Sequence, residues 1–183
     1  MPVHIAPADE AWAGRGRELA AEVHSAAAPH ALRVEHIGST SIPGMAAKPV
    51  YDLQMSVAAL DRGTLDAPLA AIGFTRRAYE HDHVPAGRGD DPERWRKLFY
   101  TRDEPELINL HVRVAGSPNE RVALLFRDWL RAHPAAVDAY AAFKVALAAR
   151  LDDVGEYADV KDPVVDLVIV AAEVWAATTG WEP

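Results

Sequence analysis

The sequence contains no cysteine in its 183 residues. That excludes disulfides, thiolate nucleophiles and Cys-type zinc sites at once. It also has no long uncharged apolar run. The longest apolar stretch, 164–177, is broken by Asp166 and Glu173, short of the roughly 18 residues a membrane helix requires. A basic excess is missing too, since the formal net charge is −8. This argues against a nucleic-acid groove or an anionic membrane surface as partner, while leaving room for a local basic pocket. No basic segment followed by an apolar run stands at the N-terminus, so the expected setting is cytoplasmic. What remains is half hydrophobic residues with both charge signs spread along the chain. Such a composition suits one globular domain, 1–183, with a sizeable core.

The pattern along the chain predicts an α+β fold. Helical signals cover 8–28 and 61–72. Strand signals cover 32–37, 50–57, 74–79, 95–101 and 107–114. Between the third and fourth of these, 80–92 reads as a polar, mobile loop carrying His81 and His83. After 118 only helical signals follow: 118–132 and 134–151, each opened by proline, then 157–178. Pro163 suggests a kink there, or a new helix capped by Asp162. The expected architecture is a mixed, largely antiparallel sheet (about 30–115) flanked by helices, with a C-terminal helical bundle (about 118–180).

Two strands carry an apolar face and a chemically rich one. On 50–57, Asp52, Gln54 and Ser56 share a face; on 107–114, Asn109, His111 and Arg113 do. Alternation alone is equally the mark of a half-solvated sheet. A small-residue loop, Gly38-Ser39-Thr40-Ser41 through Pro43-Gly44 to Lys48, opens beside the first of these strands. It reads either as a plain turn or as a phosphate cradle of amides and hydroxyls. Asp52 needs a second ligand to hold a metal, and His111 and Gln54 are the residues on offer. A histidine ligand would favour Zn²⁺ or Mn²⁺ over Mg²⁺. In the helical third, Arg127 and Arg131 share a face, and Tyr140/Lys144 and Tyr157/Lys161 are each four apart. Such pairs are surface decoration or the wall of an anion site.

The run from Glu35 to Leu53, with Asn109-Leu110-His111-Val112, Phe126 to Pro134, and Tyr140, Lys144, Tyr157 and Lys161, resembles the GrpB family. That family is similar in fold to polymerase-beta-like nucleotidyltransferases and also occurs fused to dephospho-CoA kinase. The resemblance implies that Gly38 and Ser39 match the phosphate-binding turn and Asp52 the first metal-binding acid. His111 falls where the superfamily places its third acid, and Gln54 stands at the second. It implies a phosphorylated small molecule or nucleotide as ligand, with nucleotidyl transfer or ligand binding without chemistry as the alternatives. On the transferase reading, Asp52 holds a divalent metal (Mg²⁺, Mn²⁺ or Zn²⁺) and His111 is ligand or base. Ser39, Thr40 and Ser41 hold phosphates; Lys48, Lys144 and Lys161 neutralise charge. Gln54, Asn109, Arg127, Tyr140 and Tyr157 are further candidates.

Overall fold

The computed structural model describes residues 3–89, 91–151 and 153–183. Helix α1 (Ala11–Ala26) leads into strand β1 (Ala31–Ile37), a one-turn 3₁₀ segment (Ser39–Ser41) and strand β2 (Tyr51–Val57). Helix α2 (Arg62–Ala71) follows, capped by the Asp61 carboxylate accepting from the Gly63 amide. Strands β3 (Thr75–Arg77), β4 (Leu98–Arg102) and β5 (Ile108–Val114) complete the sheet. Helices α3 (Pro118–Ala132), α4 (Pro134–Ala148) and α5 (Val154–Thr179) close the chain.

The sheet order is β1-β2-β5-β4-β3. Among the described residues only the β2–β5 pair is parallel; the other three are antiparallel. The α+β expectation therefore holds, mixed sheet and helical C-terminal third included. The parallel pair sets the chemistry. Its register places Asp52 beside Asn109, Gln54 beside His111 and Ser56 beside Arg113. The two polar rows read from alternation thus become one patch.

The opposite, apolar row (Tyr51, Leu53, Met55, Val57, Ile108, Leu110, Val112) packs on Trp12, Leu19 and Val23 of α1 and Leu65 and Leu69 of α2. Leu53, Met55, Leu110 and Val112 are fully buried, so this interface supplies the main hydrophobic stabilisation. Helices α3, α4 and α5 stand over the polar face with a second apolar cluster, Ile42, Met45, Leu130, Val137 and Tyr140.

Three local expectations change. The fourth strand starts three residues late, because Pro92–Trp95 forms a 3₁₀ turn capped by Asp91. Pro163 does not restart the last helix. It lies inside α5, whose cap is Asp153, accepting from the amides of Gly155 and Glu156. The stretch expected to be a mobile loop is anchored from within. The Ala86 amide donates to Asp166, which also meets His83, and Asp82 is drawn under the sheet's polar face.

Candidate functional site

The turn after β1 is built by its glycine. Gly38 has φ +68°, and a Cβ there would run into the Asp52 carboxylate. Only glycine lets the turn lie against that acid. The three hydroxyls that follow then diverge. Thr40 turns inward, donating to the Val50 carbonyl (2.9 Å) and accepting from His36 Nε2 (2.9 Å). Ser41 donates back to the Gly38 carbonyl at 2.7 Å. Both side chains are buried and spent on shaping the turn, so the expectation that the Thr40 and Ser41 hydroxyls hold phosphates does not survive. Ser39 alone faces the cavity, where its Oγ accepts from Lys144 Nζ at 2.9 Å.

Lys144 is only 3 % exposed. Ser39, Lys48, Asp52, Asn109, Lys144, Tyr157 and Lys161 line one cavity of about 400 Å³. Lys48 Nζ lies 4.9 Å from the Tyr157 ring centroid and Lys144 Nζ 5.2 Å from that of Tyr140, both in cation–π range. Three ammonium groups crowd there with no carboxylate in ion-pair contact among the described residues. Burial, with Lys161 and Lys48 nearby, pushes the Lys144 amine down to about 7. Burial and Lys161 likewise push Lys48 down.

Among the described residues Asp52 is the one acid lining this cavity. Burial pushes its carboxyl up, but His111, the Asn109 amide and Lys161 outweigh that and hold it below the usual range. Asn109 Nδ2 donates to Oδ1 at 2.9 Å, and His111 Nε2 stands 3.9 Å from the same oxygen. On its other side, His111 Nδ1 meets Lys97 Nζ at 3.3 Å and Arg113 Nη2 at 3.5 Å. Both neighbours are donors without acceptors, so they assign Nδ1 as the acceptor and the proton to Nε2. Burial and Lys97 push His111 down to about 4. It is a neutral imidazole whose Nε2–H faces Asp52.

These partners test the implied metal. A ligand needs a free lone pair, and the His111 nitrogen beside Asp52 carries a proton. Turning that proton to Nδ1 would aim it at two cations. Gln54 is fully buried and spent: its Oε1 accepts from Arg113 Nη1 and its Nε2 donates to the Glu120 carbonyl at 3.2 Å. Among the described residues no group of three His, Asp or Glu side chains could hold a metal. The superfamily's two-metal donor set does not fit this site. The expectation of an Asp52–His111 metal pair with Gln54 in reserve is corrected accordingly.

Arg127 also leaves the site. It is buried on the far side of β1, donating to Glu35 (3.2 Å), the His36 carbonyl (3.3 Å) and Asp128 (2.7 Å). Arg131 reaches the Ser41 carbonyl at 2.8 Å. The pair clamps the end of β1 and the turn from outside.

Sequence reasoning missed Asp82. Its carboxylate accepts from Lys97 Nζ (2.7 Å), Arg113 Nε (2.8 Å) and Asn119 Nδ2 (2.9 Å). Arg113 and Lys97 hold it well below the carboxylate range, against its burial. A second cavity of about 350 Å³ shares Ser39, Asp52, Asn109 and Lys161 with the first and runs between α3 and α5 past Asp82. Lys97 could have been found, since alternation on 95–101 puts it on the face of Phe99, which pairs with His111. Asp82 had no such signal.

Comparison with known proteins decides the family. The GrpB protein family matches residues 2–170. The chain belongs to the GrpB family. A UPF0157 protein of Halalkalibacterium halodurans is 34 % identical over 90 % of this chain and 79 % of its own length. The dephospho-CoA kinase of Mycolicibacterium paratuberculosis is 36 % identical over 100 % of this chain but 49 % of its own. The chain thus spans about half the length of several curated relatives it matches. The crystal structure of the conserved protein GrpB from Enterococcus faecalis superposes with a TM-score of 0.76 at 25 % identity, covering 94 % of this chain and 99 % of that one. No helix among the described residues is long and apolar enough to cross a membrane.

Proposed function

We propose that this GrpB-family chain binds a small phosphorylated ligand or nucleotide, its phosphate seated against Ser39, Lys48, Lys144 and Lys161. The observation that carries the reading is the Lys144 ammonium, buried on a serine hydroxyl beside two more lysines. Burying a charge without a counter-charge is costly. A fold keeps such a group where a ligand supplies the missing charge. The net charge of −8 opposes anions at long range, so local cations have to do the binding. Asp52 and the His111 Nε2–H at the floor offer one acceptor and one donor to a ligand hydroxyl. The reading favours binding over nucleotidyl transfer, because the acids that would hold two metals are replaced by committed side chains. Relatives that bear the name dephospho-CoA kinase bring CoA precursors into the ligand panel.

Calorimetry with pyrophosphate, ATP and dephospho-CoA in the presence of EDTA tests this. Saturable binding of at least one of them, without metal, is the expected result. Binding only with Mg²⁺ or Mn²⁺, followed by pyrophosphate release from ATP, would replace the reading with nucleotidyl transfer.

A further inference from the structure

The cavity between α3 and α5 says what else the ligand carries. This step rests on the phosphate seat proposed above. Val122 and Phe126 of α3 and Val165 and Ile169 of α5 form its apolar walls, with Tyr140 at the end shared with the lysines. Phe126 and Tyr140 meet edge-to-face, ring centroids 5.7 Å apart. A ring entering from the phosphate seat would find carbon on both sides.

The polar side chains around this chamber are nearly all committed. Asp82 accepts from three donors, and Arg113 is held by Asp82 and Gln54. Asn119 donates to Asp82 and the Arg96 carbonyl, while its Oδ1 accepts from Ser117 and the Glu120 amide. Asp166 accepts from His83 and the Ala86 amide. Asp162 differs: it lines the chamber next to Lys161, and no described residue makes an ion pair or hydrogen bond with it. Its charge is felt by Tyr140, whose hydroxyl it helps to keep protonated, after burial and Tyr157. A carboxylate is acceptor-only. It can reward an N–H or O–H on the ligand and repels a carbonyl there.

We infer that Asp162 is a specificity-determining residue, selecting phosphorylated ligands whose planar apolar ring, held between α3 and α5, bears an amino donor. Adenosine and purine riboside monophosphates are the matched probes. They share the phosphate, the sugar and the ring, and differ only in the amino group that the second lacks.

The test is calorimetry of both nucleotides and of pyrophosphate on the parent, Asp162→Asn, Val165→Trp and Lys144→Met. The parent should bind the adenosine form about tenfold or more tightly than the form without the amino group, the value of one charge-assisted hydrogen bond. Asp162→Asn, whose amide offers both a donor and an acceptor, should narrow that ratio below about threefold without weakening pyrophosphate binding, since it removes a negative charge beside Lys161. Val165→Trp, filling the chamber, should cost nucleotide affinity and spare pyrophosphate; retained pyrophosphate binding also shows that it folds. Equal affinity of the parent for the two nucleotides, with both lost in Lys144→Met, would overturn the chamber reading and leave the phosphate seat standing. Failure of pyrophosphate to bind the parent, or binding indifferent to Lys144→Met, would overturn the phosphate seat itself and this inference with it.

Discussion

Two buried polar regions share one face of this sheet and obey opposite rules. Around Asp82, every charge meets its opposite: Lys97, Arg113 and Asn119 donate to it, and Gln54 and Glu120 complete the network. A few residues away, around Ser39, three lysines gather with only a neighbouring aspartate to answer them. Compensated buried charge specifies a structure. Uncompensated charge of one sign, kept inside a cavity, marks a place for something else. The contrast separates residues that would look alike in a list of polar side chains.

The contrast yields measurements in descending size. Asp82→Ala should be the most damaging, destabilising by about 3–5 kcal/mol in urea unfolding, because it strands two buried cations. A cost under about 1 kcal/mol would mean that the network is not closed. Lys144→Met should behave in the opposite way. It removes a buried charge that the protein alone does not match, so the melting temperature should hold or rise. Phosphate affinity should fall by about 1–3 kcal/mol.

Much of this was legible in the sequence, for stated reasons. Alternation on β2 and β5 assigned the faces, and the Gly-Ser turn, open between a plain turn and a cradle, does lie against Asp52. The spacing of Tyr140/Lys144 and Tyr157/Lys161 left surface pairs and a cavity wall open, and the fold puts Lys144, Tyr157 and Lys161 on the cavity. The division of labour within the turn was not legible. Ser39, Thr40 and Ser41 differ only in where a 3₁₀ turn aims them, and no periodicity reports that. Gln54 and His111 were legible as chemistry but not as commitments, since Gln54's partners Glu120 and Arg113 and His111's partner Lys97 are distant in sequence. Asp82 sat in a loop whose polar composition looks solvated, and only tertiary contact buries it. Arg127 shared a helical face with Arg131 as spacing predicted, yet that face meets the outside of β1.

pH sharpens the comparison further. Lys144 has a folded-state pKa near 7, below its ordinary 10.5. Between those values the unfolded chain binds more protons, so this residue makes stability rise with pH there. An anion needs the charged form, so phosphate affinity should weaken from pH 7 to 9, with proton uptake on binding visible in buffers of different ionisation enthalpy. Affinity independent of pH in that range would contradict a depressed Lys144. His36 and His111 are both pushed to about 4 by burial first and by nearby cations. They stay neutral in the fold while the unfolded chain protonates near 6.5. Stability should therefore drop as pH falls from 6.5 toward 4, and His111→Asn should flatten part of that drop. Ser39→Ala is the smallest effect, about 1 kcal/mol of phosphate affinity, through loss of the hydroxyl that positions Lys144.

The central claim is that the lysine cluster is a seat for phosphate which works without metal. Its most direct test is pyrophosphate titration of the parent and Lys144→Met at pH 7 in EDTA, with melting temperatures measured alongside. The account predicts saturable binding to the parent, weakened tenfold or more in the variant, while the variant melts at the same temperature or higher. Equal affinities, or binding that appears only when Mg²⁺ or Mn²⁺ is restored, would contradict it.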